Sequence, residues 1–460
     1  MELNNLIKKF KKLESFTSFF NSLSIQTPYK ITGLNSGAKA LWFSSLLEEN
    51  FDTIFIVAAS KEEEDMFVSF FDYLGFKDFD IYPTLEISPY EHIITDINLL
   101  DKQYQVIDKL LKKQIKCVIT KTRGINQKLL AINELSKNVL TLRPTMEISP
   151  MNLTEELIRL GYKPCSVLEK RGEFSRKGGI INIFPMGFPH PIKLEWFDDE
   201  LEFIRVYDLE TKKTKEEIEL ITLYPASKIV IPRDMPSNIH EQIMQPLMSQ
   251  IVNIYSKGLT KNAEGLRKST ETSLNRLKNF EYDDATYSFF NYLYNDGYSL
   301  LDYLPKNSMV IWTEFTAQNS TLKKFEENLE NSLKDKFEKG LLLETPGKLY
   351  IPLNDILKKA RNFPQLRCSA LNDMPNVNQQ FSGTMLPVFT NKFDELVNTL
   401  KKWSKEEKKK ILIISAQPQR ALTLLRERDC EAVYGEEPDF NSSTGGVWVL
   451  KGEISKGFIY

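Results

Sequence analysis

Short apolar runs alternating with helical patterns constrain this chain more than any other feature. "DTIFIVAA" (52–59) is β-rich and follows the helical stretch "AKALWFSSLLEEN". The amphipathic "KEEEDMFVSFFDYLGF" comes next, with acidic residues in its first turn, where the helix dipole favours them. "FDIYP" and "KCVITK" (116–121) are further buried-strand candidates. Strands separated by helices imply a parallel sheet, so residues 1–147 are expected to form an α/β domain.

The pattern changes near residue 150. After the helix "MNLTEELIRLGY" come "SVLEKRGEFS", "GGIINIFP", "IKLEWFDDE", "EFIRVYDLET" and "EIELITLYP". Turn signals separate them, at Lys177-Gly178-Gly179, Pro185-Met186-Gly187 and Asp198-Asp199-Glu200. Closely spaced strands with such turns predict an antiparallel α+β unit over 148–225. From 226 the chain becomes helical and polar. "SMVIWTEF" (308–315) then reads as a buried strand that could add to the first sheet, which would make the antiparallel unit an insertion. The polar stretch near 365–380, with "LNDMPNVNQQFSG", reads as a linker. The last segment, 375–460, carries one more α/β unit, with the helix "FDELVNTLKKWSKEEKKK", the strand "ILIISA" and the helix "PQRALTLLRERD". "KKWSKEEKKK" is read as a solvated helix end, with nucleic-acid contact the minor reading. The apolar, β-rich ending "VWVLKGEISKGFIY" suggests a truncated product. The fold class expected is therefore multidomain α/β, with a parallel-sheet domain, an inserted antiparallel α+β domain and a small α/β domain.

Bulk properties exclude several functions. The 60 basic and 62 acidic residues leave a net charge of -2, which asks for no nucleic acid overall. No apolar run reaches the ~18–20 residues needed to span a bilayer. "MELNNLIKKFKKLESF" lacks a signal core, and a cytoplasmic, monomeric protein is expected. Cys117, Cys165, Cys368 and Cys430 are scattered, as are His92, His190 and His240. No metal spacing and no catalytic constellation emerges from them.

Two motifs carry chemistry. In "GLNSGAKA", Gly33, Gly37 and Lys39 outline a phosphate loop. Its second glycine position is Ala38 and its metal-ligating hydroxyl position is Ala40. Alanine ligates no metal, and a Cβ at position 38 crowds a backbone that should wrap phosphate. The best partner for such a loop is "MVIWTEF", where Thr313-Glu314 stands in place of Asp-Glu. Losing both metal ligands argues against hydrolysis, so Lys39 is expected to be a helix-start surface residue. The second motif is "RGEFSRKGGIINIFP" (171–185). Arg171, Arg176 and Lys177 flank a glycine turn, with Glu173, Phe174 and Phe184 nearby. This is either an exposed charged hairpin or a docking surface for an acidic partner or a phosphate, cations giving register and an aromatic the anchor.

"RGEFSRKGGIINIFP", followed by "LEWFDDELEFIRVYD", resembles the UvrB-like part of the transcription-repair coupling factors. "YPTLEISPYEH" (82–92), "YSLLDYLPKNSMVIW" (298–312) and the broken loop fit the same family, in order from about residue 25 to 460. UvrB itself keeps an intact loop. The resemblance implies UvrB-like domains over 1–147, 148–225 and 226–350 and a small domain over 375–460. It implies a UvrA-docking element made of Arg171, Glu173, Phe174, Arg176, Lys177, Gly178, Gly179, Phe184 and Arg205. Lys177 departs from the family's arginine, keeping the charge but losing the planar fork. It also implies transcription-coupled excision repair of DNA as the setting. The family's motor, which uses ATP and Mg and acts on DNA, and its RNA-polymerase-binding domain would lie beyond this chain, which alone needs no cofactor. The alternatives are a UvrB-like, helicase-type ATPase acting on damaged DNA and a direct DNA-binding module.

Overall fold

A computed structural model describes residues 7–8, 10–84, 88, 90, 96–211, 213–233, 238–283, 285–294, 297–381, 386–435, 444–453 and 457. Much of "YPTLEISPYEH", including His92, and the end of "VWVLKGEISKGFIY" lie outside the described residues.

The first region alternates α1 (Glu14–Asn21), β1 (Tyr29–Thr32), α2 (Ser36–Leu47), β2 (Thr53–Ala58), α3 (Lys61–Tyr73), β3 (Phe79–Ile81), α4 (Ile97–Leu111) and β4 (Cys117–Lys121). Every residue of β2 is buried, as its unbroken apolar run requires of a strand covered on both faces. Helix α2 is buried almost all round, so it shows no apolar stripe. One reason is α1, whose Phe16 and Phe19 rings stand 5.5 and 5.2 Å from Trp42.

The middle region holds β5 (Met146–Glu147), α5 (Pro150–Arg159), β6 (Lys163–Pro164), β7 (Glu173–Lys177), β8 (Ile180–Ile183), β9 (Ile192–Phe197), β10 (Glu200–Tyr207) and β11 (Thr214–Glu217). Ser149 caps α5 and Pro150 opens it, the usual division of labour at a helix start. The sheet order is β11-β10-β9-β8-β7-β6, with β5 pairing to β10. All pairings are antiparallel except β6 with β7. The chain segments entering and leaving this region pair with each other, Leu140–Leu142 antiparallel to Ile221–Leu223.

The third region adds α6 (Ile239–Ser256), α7 (Thr260–Lys278), β12 (Ser308–Trp312), α8 (Phe315–Glu338), β13 (Gln365–Ser369) and β14 (Gln379–Gln380). Strands β12, β13 and β14 return to the first sheet, whose order is β14-β1-β13-β12-β2-β4-β3, parallel throughout. The antiparallel unit is therefore an insertion between β4 and β12. The linker expected near 365–380 is corrected. Leu366 and Cys368 are core residues of β13, between β1 and β12, and β14 forms the sheet edge. The polar composition misled because β14 is only two residues long and edge strands tolerate polar side chains.

The last region packs α9 (Phe393–Lys401) and α10 (Pro418–Arg426) on a parallel sheet of β15 (Lys410–Ser415), β17 (Gly446–Lys451) and β16 (Val433–Tyr434), ordered β15-β17-β16. The architecture is thus α/β with parallel and antiparallel sheets. Among the described residues no helix is long and apolar enough to cross a membrane.

Candidate docking face and the loop between β1 and α2

The broken loop occupies the position a phosphate loop takes, between β1 and α2. Gly33 adopts φ +78°, a conformation glycine reaches without strain. Asn35 caps α2 and accepts the Ala38 N–H at 3.0 Å, so this backbone donor is already used within the chain. Gly37 is the second residue of the helix. Lys39 corrects the expectation of a surface residue, since it is 1% exposed. Its ammonium contacts Glu63 Oε1 at 2.7 Å and also donates to Glu314. The buried cation stays because two carboxylates satisfy it; an unpaired one would be very costly.

Each carboxylate is held in turn. Glu63, in the first turn of α3, accepts the Ala59 N–H at 3.1 Å and the Thr313 hydroxyl. Glu314 precedes α8 in the left-handed region at φ +43°, uncommon for a non-glycine residue. It accepts from Ser369 Oγ at 3.2 Å and from the Ala370 N–H at 3.1 Å. One cation faces two carboxylates, and the N-termini of α3 and α8 supply compensating positive ends. Burial disfavours the charged forms, but the ion pairing outweighs it. Lys39 is raised above its usual range and Glu63 is held below the usual carboxylate range. Among the described residues no group of His, Cys, Asp and Glu is placed to hold a metal ion. Cys117 and Cys368 are buried free thiols pushed up by burial, which removes them as nucleophiles.

In the hairpin β7–β8, the structure divides the expected docking residues into inner and outer sets. Phe174 is 1% exposed and packs in the core with Ile181 and Ile183, so it is corrected from docking anchor to core residue. Arg171 is likewise engaged within the chain. Its guanidinium pairs with Asp101 of α4 at 3.2 Å, donates to the carbonyls of Pro185 (3.1 Å) and Pro189 (3.0 Å), and covers the Phe184 ring at 4.5 Å. Asp101 also accepts the Gly187 N–H at 2.8 Å. Burial raises the Asp101 carboxyl pKa and lowers that of Arg171. Glu173 accepts the N–H groups of Glu169 (3.1 Å) and Lys170 (2.8 Å), fixing its own loop.

What reaches solvent is the sheet's other face and its tip. Arg176, Lys177, Gly178 and Gly179 are exposed, with Gly178 at φ +58° making the turn. Arg176 lies over the exposed Met151 of α5, 3.5 Å from its sulfur. Cross-strand register then defines the outward rows. Lys177 pairs with Ile180, which pairs with Glu195, which pairs with Phe203. The next row runs Asn182, Lys193, Arg205, Glu217. Because side chains alternate along a strand, Lys193, Glu195 and Phe197 of β9 share this face. Phe197 is 76% exposed at the end of β9, while the Gly179 carbonyl accepts the neighbouring Trp196 N–H at 3.0 Å. Arg205 bonds Glu195 and Glu217 and stacks on Phe203 at 4.2 Å. Lys193 meets Glu195 at 2.6 Å. The face thus carries Lys177, Lys193 and Arg205, the last two paired with Glu195 and Glu217, together with the strongly exposed Phe197 ring.

Phe197 and Lys193 were absent from the sequence-derived set. The signal was available in the phase of "IKLEWF", where Ile192 and Leu194 point inward and Phe197 falls on the polar side.

The family described as UvrB interaction domain matches residues 140–228, which contain this face. A second, described as Cyanobacterial Mfd, Rossmann-like domain, matches residues 385–443. The transcription-repair-coupling factor of Bacillus subtilis (strain 168) is 22% identical over 470 residues, 99% of this chain and 39% of the relative. The chain is similar to the N-terminal, UvrB-like region of the transcription-repair coupling factors. The coupling factors of Staphylococcus haemolyticus (21% over 462 residues, 98% and 38% covered) and Staphylococcus aureus strain MRSA252 (22% over 469, 99% and 38%) align in the same way. The chain therefore spans about two fifths of the length of the curated relatives it matches.

Proposed function

We propose that this chain is a UvrA-docking module of transcription-coupled excision repair, engaging UvrA with the outward face of its antiparallel sheet. The observation that carries the reading is Phe197, an exposed aromatic on the same sheet face as Lys177 within the region matching the UvrB interaction domain. An exposed aromatic on a sheet face that also carries cations is the arrangement interface anchors take, with the ring supplying buried area and the charges supplying register. Lys177, Lys193, Phe197 and Arg205 are the proposed contacts, with Arg176, Gly178 and Gly179 shaping the tip. Arg171, Phe174, Glu173 and Phe184 hold that face in place from within. Lys177→Glu in the full chain should reduce UvrA capture at least about tenfold, the size of a lost hot-spot charge. Capture equal to wild type would remove the face from consideration.

In this reading the chain by itself turns over no ATP. Support comes from Lys39, whose ammonium is already neutralised by Glu63 and Glu314, and from Ala40, which offers no metal ligand. RNA polymerase, DNA and the ATP- and Mg-using motor belong to parts of the longer relatives outside this chain, and a cytoplasmic setting follows from the same reading.

A further inference from the structure

We infer that the vestigial phosphate loop has become a socket for the chain's own segment 369–381, fastened by the Lys39–Glu63–Glu314 cluster. The segment leaves β13 and wraps the loop before the small C-terminal domain begins. At its start, the Ala370 N–H and Ser369 hydroxyl both donate to Glu314. Lys30 then donates from its ammonium to the Pro375 carbonyl at 2.6 Å, and from its N–H to Asn378 Oδ1 at 2.9 Å. The Asn378 N–H returns to the Lys30 carbonyl at 3.0 Å. Strand β14 pairs parallel with β1, Ile31 opposite Gln379 and Thr32 opposite Gln380. Finally the Phe381 N–H donates to the Thr32 carbonyl at 2.9 Å, while the Phe381 ring stands 6.0 Å from Trp42.

The close approach at Gly33 shows how tightly the socket is filled. A Cβ there would lie 2.0 Å from the Phe381 carbonyl oxygen, a distance no side chain tolerates. The backbone of the segment therefore sits directly on the first residue of the loop. The electrostatics fit the same assignment. Helices α2, α3 and α8 begin around this point, and such a convergence of helix N-termini is an anion site. Here the anions are Glu63 and Glu314 of the chain itself. Glu314 is the joint, because one carboxylate holds Lys39 on one side and residues 369–370 on the other. Its left-handed backbone is a local cost that these bonds help to offset. The consequence reaches beyond the loop. Helix α9 starts at Phe393, twelve residues after Phe381, so the fastened segment is the stretch of chain that leads towards the small domain. A second contact supports the docking of that domain, where Ser69 Oγ donates to the Glu453 carbonyl at 3.4 Å and Ile414 packs against the first core.

The test is amide hydrogen exchange on the full chain, read at Ala370 and Phe381 and at the central strand β2. Lys39→Met and Glu314→Gln should each speed exchange at Ala370 and Phe381 at least about tenfold while β2 stays protected, as a local opening would. A glycine pair provides the steric arm. Gly33→Ala and Gly75→Ala both place alanine at a positive φ (+78° and +80°), but nothing lies within 4 Å of the Cβ at Gly75. Only Gly33→Ala should release Phe381. Unchanged exchange at Phe381 in the charge variants, or equal exchange in the two glycine variants, overturns the proposal. Release of Phe381 from the wild-type chain by Mg-ATP also overturns it, because the socket would then belong to nucleotide.

Discussion

Phe197→Ala should separate binding from folding, and Phe174→Ala should do the reverse. A phenylalanine has about 150–250 Å² to bury, so a side chain 76% exposed has on the order of 150 Å² still free. At about 25 cal/mol per Å², covering that area is worth up to roughly 4 kcal/mol. Ordering costs at an interface reduce the surplus, so about 2 kcal/mol is expected, near a thirtyfold loss of UvrA affinity. The free chain should scarcely notice, because a truncation on a solvated face stays within about 0.5 kcal/mol. Phe174 is 1% exposed in the same sheet. Its truncation leaves a core cavity and should cost about 3–5 kcal/mol of stability. Calorimetric titration against UvrA, paired with denaturant unfolding of each variant, gives both numbers. If Phe197→Ala binds UvrA within twofold of wild type while still folded, the assignment of the outward face is wrong.

Three further outcomes follow from the same geometry. Asp101→Ala removes the buried partner of Arg171 and should cost about 3 kcal/mol in denaturant unfolding, since one member of a buried ion pair is left behind. The Lys39 cluster sets a pH window. The lowered Glu63 contributes stability present above about pH 4.3 and lost as pH falls through its folded value; the raised Lys39 contributes below about pH 10.4 and loses it as pH rises through its folded value. Lys39→Met leaves two carboxylates together, so between about pH 4 and 7 its stability should fall with rising pH where wild type rises or holds, a sign change that unfolding at the two pH values reads directly. Millimolar Mg-ATP should leave the melting temperature of the chain unchanged, whereas a ligand at 100 times its Kd would add about 2.7 kcal/mol.

Much of this was legible in the sequence, for identifiable reasons. The runs at 53–58 and 117–121 are strands because continuous apolar β-branched residues suit a sheet buried on both faces. The glycine turn at Gly178 marked its hairpin, since φ +58° is open to few other residues. Lys39 was misplaced because its partners are distant in sequence. Glu63 hides in an acidic first turn that a helix dipole already explains, and Glu314 approaches from 275 residues away. Charge position along one segment carries no trace of such long-range pairing. Arg171 and Phe174 were assigned outward because a motif was treated as a patch, although alternate residues of a strand face opposite ways. The same alternation, applied to "IKLEWF", would have supplied Phe197.

The pairing of Leu140–Leu142 with Ile221–Leu223 brings the two ends of the inserted sheet side by side. A cassette whose first and last strands are neighbours can be cut out and the gap closed by a short turn. Residues 143–220 therefore enter and leave the host at one point, yet they are not self-contained, because Leu153, Leu157 and Phe174 belong to the same apolar core as Ile243 and Leu247 of α6. Excising residues 143–220 would leave Asp101 on α4 with no guanidinium to answer it, Asn138 without its Arg159 donor, and the Tyr282 hydroxyl without the Arg159 carbonyl it donates to.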